Sequence, residues 1–327
     1  MVASYRNFQL RHDLPAISED LEEALLACTD NKLFKLLLEE AFPYLRYDTV
    51  ISAFYSNKKS LFDPILSDLE LVKAGLHPFR RWAAQLAHQK RIDWSLYRHI
   101  HEYTINGFTK ILHNQVLDAV QSGLNKEFDN IAYSVNKQPF NMLKGVDVQA
   151  PILRKVHEVI KPYIIACISK TETDDIKFKY DWNTFLQRVH NRPDDNDNQK
   201  EFHIDTFFPA IKWWLFTQEV EADKGALCYV PGSALVIDKY LDWVYSQTIQ
   251  IAEGHEQRKD HIEGSFRASL EDLEAMGYGK PEAMTAAIPG TLIIGNVAGF
   301  HRRGDTIEPV VRNALHGSIR LDDPFTF

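Results

Sequence analysis

The residues Phe202-His203-Ile204-Asp205-Thr206 alternate β-forming side chains with metal-capable ones. On a strand, side chains at i and i+2 project from one face. His203 and Asp205 can therefore reach a single metal ion while Ile204 points into the opposite layer. A third ligand has to come from elsewhere, and His301 is the candidate. It ends an apolar strand, Thr291-Leu292-Ile293-Ile294-Gly295-Asn296-Val297-Ala298-Gly299-Phe300. Two imidazoles and one carboxylate on one side of an ion suit non-haem Fe(II) and leave coordination positions open. The interval between Asp205 and His301 is long enough for several strands to return to the same end. Past His301, Arg312 opens the next strand. A guanidinium deep in a barrel needs an anion, and its planar fork suits a carboxylate. A dicarboxylate that chelates the metal at one end and pairs with Arg312 at the other accounts for the arrangement.

Outward from this segment the chain reads as strand-rich from about residue 177. Segments 176–190, 202–208, 211–220, 225–230, 290–300 and 313–319 are rich in β-formers, and Pro231-Gly232-Ser233 forms a turn. Many short strands with polar turns point to a sandwich or barrel. Two segments interrupt the pattern. Residues 191–198 form a polar loop without core value, and residues 237–284 form an inserted helical excursion with Ser269 and Asp272 as a helix cap. An insertion at a barrel mouth can serve as a lid. Upstream, Asn106-Gly107-Phe108 reads as a helix end, a glycine turn and a strand. A helix through Ile152, Val156 and Ile160 is expected to end or kink at Pro162. The first hundred residues read as helices, one capped by Ser18 and continuing to Pro43. The expected architecture is mainly β with a helical cover: residues 1–100 a helical region packed on the core, and 101–327 the β domain.

Composition narrows the function classes. The chain has 327 residues, a net charge of −8 and 45% hydrophobic residues, ordinary for a globular protein that needs no staples. The acidic balance argues against a general nucleic-acid binder. Cys28, Cys167 and Cys228 form no C-x-x-C pair, which argues against a zinc ribbon or dithiol site. No apolar run reaches the ~20 residues of a membrane helix, and the first residues contain no apolar signal segment. A cytoplasmic location is the expectation.

From about Tyr103 to Arg320 the sequence resembles the phytanoyl-CoA dioxygenase-like (PhyH) family of Fe(II)/2-oxoglutarate-dependent oxygenases. The resemblance rests on ordered pieces: Asn106-Gly107-Phe108, the His203-Ile204-Asp205 motif, Trp213 to Glu219, Gly225-Ala226-Leu227-Cys228-Tyr229-Val230-Pro231-Gly232-Ser233, and Gly290 through His301 to Arg312. It implies a double-stranded β-helix, jelly-roll or cupin-like core. It also implies Fe(II) on His203, Asp205 and His301, with 2-oxoglutarate as co-substrate on Arg312. The implied reaction oxidises an unactivated C–H bond of a small molecule with O2, as 2-oxoglutarate is decarboxylated to succinate. Because Asp205 keeps the carboxylate that halogenating relatives replace, halogenation is not implied. The sequence departs from the family at two places: Ala234 follows Pro231-Gly232-Ser233 where a histidine is common, and Ala314 stands where a small hydroxyl residue often follows the arginine.

Gln187, Trp213, Arg302 and His316 are the candidate substrate-binding residues. Gln187 and His316 are placed by strand parity, Arg302 by its position beside the metal ligand, and Trp213 as one of an alternating pair. His261-Ile262-Glu263 repeats the metal-binding spacing between polar flanks; on a helix i and i+2 do not share a face, so it reads as solvated. Competing readings keep the iron chemistry but end in desaturation or oxidative cyclisation. Others replace it with a cupin-like metal enzyme or a ligand-binding barrel that does not use 2-oxoglutarate.

Overall fold

Two antiparallel sheets dominate this computed structural model. It describes residues 3–28, 106–112, 141–145, 151–168, 183–193, 197–205, 210–252 and 266–320, with Leu33, Leu36, Leu37, Glu40, Ala41, Trp82 and Phe128 as single positions. The six-stranded sheet has the spatial order β1 (Phe108–Leu112), β9 (Thr291–Asn296), β5 (Ala210–Phe216), β11 (Val310–Arg320), β3 (Asn183–Asn191) and β2 (Asn141–Gly145). The five-stranded sheet runs β7 (Arg267–Ala268), β4 (Phe202–His203), β10 (His301–Arg303), β6 (Leu227–Tyr229) and β8 (Glu282–Met284). From β3 to β6, and again from β9 to β11, the chain steps between the two sheets at each strand. The described helices are α1 (Tyr5–Arg11), α2 (Glu19–Ala27), α3 (Pro151–Ile168), α4 (Asp238–Ala252) and α5 (Leu270–Met276).

The period-two alternation separates two apolar layers. Between the sheets lie Phe108, Trp214, Phe216, Tyr229, Met284, Ile293 and Ala314. Behind the five-stranded sheet lies a second cluster, in which Ile204 and Phe300 meet Tyr240, Leu241 and Val244 of α4 and Tyr5 and Phe8 of α1. Ile204 and Phe300 each adjoin a metal-capable histidine in sequence, so one strand face is committed to the helical layer and the other is turned inward. The N-terminal helices are tied down by polar contacts. Glu22 accepts from the Tyr5 amide (2.5 Å) and the Ser4 hydroxyl (2.8 Å). Arg11 and His12 reach Asp242 on α4 at 3.0 and 2.8 Å.

Several local expectations are met. Ser18 caps α2, although that helix ends at Ala27 with Cys28 extended and does not continue to Pro43; Ser269 and Asp272 form a reciprocal capping box on α5, and Gly107 turns with φ +85° into β1. Others change. Of the two outcomes expected at Pro162, an end to the helix does not occur, since α3 continues through it to Ile168; burial of Val156, Ile160 and Ile164 outweighs the one backbone bond that proline removes. The 237–284 excursion is not purely helical, because β7 and β8 within it form the two edges of the five-stranded sheet. Strands of two or three residues are too short to show a period. The polar 191–198 segment also has buried parts: Asn191 closes β3 at 1% exposure, and the Asp197 side chain is buried against Arg303. His261 and Glu263 lie outside the described residues. Among the described residues, no helix is long and apolar enough to cross a membrane.

Candidate metal centre and anion pocket

His203 and His301 face each other across the β4–β10 pair, directly in register. Their ring centroids are 4.6 Å apart. Asp205 lies just past the end of β4, where its amide donates to the Val297 carbonyl at 2.9 Å. The Nε2 atoms of His203 and His301 stand 3.6 and 3.5 Å from the Asp205 carboxylate oxygens. One ligand atom from each residue falls within 4.8 Å of the other two. The structure therefore brings the three sequence-derived ligands together.

Backbone carbonyls determine the chemistry of both rings. Nδ1 of His203 lies 2.8 Å from the Glu201 carbonyl, and Nδ1 of His301 lies 3.0 Å from the Gly299 carbonyl. A carbonyl can only accept, so Nδ1 carries the proton in each neutral ring and Nε2 keeps its lone pair. Nε2 of His203 is buried without a hydrogen bond. Burial first, and then the neighbouring His301, push the His203 imidazole down to about 3, so it stays neutral and able to ligate. Burial alone would raise the Asp205 carboxyl. Lys212, His301 and His203 outweigh it and hold the group well below the usual carboxylate range.

Lys212, on β5, forms an ion pair with Asp205. Sequence reasoning missed this residue, although a lone lysine in Ala210-Ile211-Lys212-Trp213-Trp214-Leu215-Phe216 was an available signal. Its inward projection also decides between the two tryptophans. Trp214 shares its parity and stacks on His316 with centroids 5.2 Å apart. Trp213, expected to line the substrate site, instead meets His157 of α3 edge-on at 6.0 Å and packs where a side chain at Gly317 would stand. Trp213 therefore faces away from the inner side, and Trp214 takes the inward position.

Arg302 also departs from expectation. It alternates with His301 and so points to the outer side, over the Phe202 ring at 5.1 Å. Its guanidinium is held by Asp305 at 2.8 and 3.1 Å and by the Lys200 carbonyl at 3.2 Å, which removes it from an inward substrate role. Arg303 points inward and forms a buried ion pair with Asp197. That pair, Arg302 on Lys200 and Arg267 on the Asn198 carbonyl (2.6 Å) fasten the 197–200 turn to the histidine-bearing sheet.

Arg312 and His316 lie on the inward face of β11. His316 donates from Nδ1 to the Trp213 carbonyl at 3.1 Å, and burial pushes its imidazole down to about 3. Gln187 is paired directly with Ala314, so it shares that face. Arg312 is buried. Its Nη1 donates to the Gly225 carbonyl and it lies 5.5 Å from the Phe216 ring centroid. Its Nε has no hydrogen bond among the described residues. Burial first, then Arg303, lower its pKa to about 9. The acids that could have formed a structural pair with it are engaged elsewhere: Asp305 with Arg302, and Glu308 with Lys224.

Sequence reasoning also missed what holds His301 in place. The Ser233 hydroxyl donates to the Val230 carbonyl (2.7 Å) and accepts from the Phe300 amide (2.8 Å). The Tyr229 hydroxyl donates to the Asn296 carbonyl at 2.6 Å. Gly299 leaves the room that Tyr229 fills, since a side chain there would collide with the phenol.

No family model and no curated protein sequence matches this chain. Several solved structures resemble it at a distance, EctD, SnoN and HygX among them. EctD from S. alaskensis in its apoform has a TM-score of 0.45 and 13% identity, covering 72% of this chain and 84% of that one. The epimerase SnoN in complex with Fe3+, alpha ketoglutarate and nogalamycin RO has a TM-score of 0.42 and 12% identity, covering 69% and 83%. HygX from Streptomyces hygroscopicus with nickel, 2-oxoglutarate and hygromycin B bound has a TM-score of 0.41 and 13% identity, covering 69% and 87%. Likenesses this distant carry no chemistry across to this chain, whose own residues have to supply the argument.

Proposed function

We propose that the protein is an Fe(II)- and 2-oxoglutarate-dependent oxygenase of the phytanoyl-CoA dioxygenase-like type, acting on a small molecule. One observation carries this reading: the inner faces of the two sheets hold a His203–Asp205–His301 ligand set and a buried Arg312 with no carboxylate partner among the described residues. The donor set fits Fe(II). It offers two imidazole nitrogens whose tautomer is fixed by backbone and one carboxylate, the three-ligand set that leaves the remaining positions of the ion unclaimed by these residues. Bound iron would supply oxygen activation coupled to decarboxylation of 2-oxoglutarate to succinate.

The chain's own residues do the rest. Glu201 and Gly299 carbonyls aim the two Nε2 atoms. Lys212 balances the Asp205 charge and orients the carboxylate. Arg312 offers a two-point fork to the remote carboxylate of the co-substrate, while Trp214, His316 and Gln187 line the same face. We read the two sheets as a double-stranded β-helix within 101–327, with 237–284 as its insertion and 1–100 packed on it. The strand-by-strand exchange between sheets supports that reading. The oxidation of the substrate's C–H bond is read as hydroxylation.

The test is to load the protein anaerobically with Fe(II) and 2-oxoglutarate, admit oxygen and measure succinate across a panel of candidate substrates. Succinate release that depends on both additions is expected. Its absence, in protein shown to bind neither iron nor 2-oxoglutarate, would overturn the proposal.

A further inference from the structure

A carboxylate offers more lone pairs than one guanidinium uses, and position 314, where a hydroxyl could have helped, is Ala314. The strand β3 runs beside Arg312. Val189 is its direct partner, and Gln187 and Asn191 flank that position on the same inward face, paired with Ala314 and Val310. Asn191 is 1% exposed, yet among the described residues neither its Oδ1 nor its Nδ2 has a hydrogen bond. The donor and the acceptor of this carboxamide are therefore both left unused. The carboxamide lies against Gly225, where a side chain would collide with it. The carbonyl of the same Gly225 accepts from Arg312 Nη1. Guanidinium and carboxamide thus converge on one glycine. The Nε of Arg312 and Oε1 of Gln187 nearby are also buried and unbonded. Buried polar atoms are nearly always paired in native proteins, and a cluster of unpaired ones marks a place where a ligand or ordered water belongs.

We propose that Asn191 is the second grip on the anion at Arg312: its Nδ2–H donates to the remote carboxylate of 2-oxoglutarate, opposite the guanidinium. Asn191 is then a binding residue of the co-substrate pocket and takes the part that Ala314 cannot play. The inference rests on the 2-oxoglutarate reading above, and its test separates the two.

Calorimetric titration of the Ni(II)-loaded protein reads binding without turnover. 2-Oxoglutarate is the first probe. 2-Oxobutyrate, which has the chelating end but no remote carboxylate, is the second. Arg312→Leu is expected to weaken 2-oxoglutarate about a hundredfold, and Asn191→Ala about tenfold, the loss expected for one charge-assisted hydrogen bond. Neither variant should change the affinity for 2-oxobutyrate. Normal binding of 2-oxoglutarate by Arg312→Leu would overturn the co-substrate reading. Loss in Arg312→Leu with normal binding in Asn191→Ala would overturn only the role of Asn191. So would an Asn191→Ala defect of equal size for both probes, because that residue would then act through the fold. Should Asn191→Ala not fold, Asn191→Asp carries the test. Its carboxylate can pair internally with Arg312, so 2-oxoglutarate binding should be lost while the melting temperature rises. Wild-type binding by Asn191→Asp would overturn the assignment.

Discussion

The inward-facing side chains form two ends that are finished differently. At the histidine end the protein supplies most of its own counterparts: each Nδ1 has a backbone carbonyl, Asp205 has Lys212, and the Phe300 amide has Ser233, so that the atoms left without a hydrogen bond among the described residues, His203 Nε2 and Asp205 Oδ2, belong to the ligand set. At the arginine end, Arg312 Nε, both amide atoms of Asn191 and Gln187 Oε1 are buried without hydrogen-bond partners among the described residues. The first end is preorganised, with atoms aimed at a cation. The second is incomplete until something anionic arrives. Preorganisation spends folding energy to fix geometry, whereas an unpaired buried charge lowers stability until a ligand restores it.

That contrast is broken most severely at the first end. His203→Ala or His301→Ala removes one of three ligands, and we expect loss of stoichiometric iron after dialysis together with loss of turnover. Circular dichroism should be unchanged, because the remaining helical and apolar layers do not depend on either ring. A variant that keeps one iron per chain would dissolve the metal assignment.

The arginine end should respond in the opposite sense. Arg312→Leu is expected to raise the apparent KM for 2-oxoglutarate ~10²-fold, equivalent to roughly 2.7 kcal/mol, with iron affinity unchanged. Arg312→Lys should recover only part, since an ammonium cannot make the two-point fork. Without co-substrate, Arg312→Leu should be the more stable protein by about 1–3 kcal/mol in urea denaturation, because a poorly compensated buried cation has been removed. If the leucine variant proves less stable than wild type, Arg312 is a structural residue and the two ends do not differ as described.

Much of this asymmetry was legible in the sequence, for identifiable reasons. Period-two alternation set His203 and Asp205 against Ile204, and the apolar run before it marked His301, although that run stops as a strand at Asn296 and His301 opens β10 in the other sheet instead of ending the strand. Arg312 stood out as a charge entering a buried strand. What could not be read depended on register or on elements too short to have a period. Choosing Trp214 over Trp213 needed the knowledge that Lys212 faces inward. Arg302 was close to the metal ligand in sequence but alternates away from it. Asp197 sat in a segment whose composition suggested only solvent, and its buried pairing with Arg303 appears only when β10 is brought alongside. β7 and β8, of two and three residues, carry no sequence pattern that separates them from the surrounding helices.

Smaller effects sharpen the picture of how the histidine end is held. Ser233→Ala deletes one donor and leaves the buried Phe300 amide without its acceptor. A destabilisation of about 1–3 kcal/mol is expected in urea denaturation, with iron binding weakened because Phe300 precedes His301. Cysteine at the same position keeps the size but bonds poorly, and should lie between alanine and wild type. An alanine variant as stable as wild type would mean that the turn holds His301 without Ser233.

His316 offers the finest test, because it lies between the two ends. In the unfolded chain an imidazole takes up a proton below its usual 6.5, whereas in the fold burial delays protonation of His316 to about 3. Between those limits the unfolded state binds more protons, so stability falls as pH drops. One such group contributes up to ~1.4 kcal/mol per pH unit. His203 behaves alike, and Asp205 adds to the loss at the acid end of the window, since its carboxylate is favoured by the fold. His316→Asn keeps a donor for the Trp213 carbonyl but cannot take up a proton in this range. The variant should therefore lose less stability than wild type between about pH 6 and about pH 5, the difference approaching ~1.4 kcal/mol for that unit. Urea denaturation at the two values measures it directly. Equal losses in variant and wild type would mean that His316 is protonated in the fold as readily as in the unfolded chain, and that the face between metal and arginine is wetter than its burial implies.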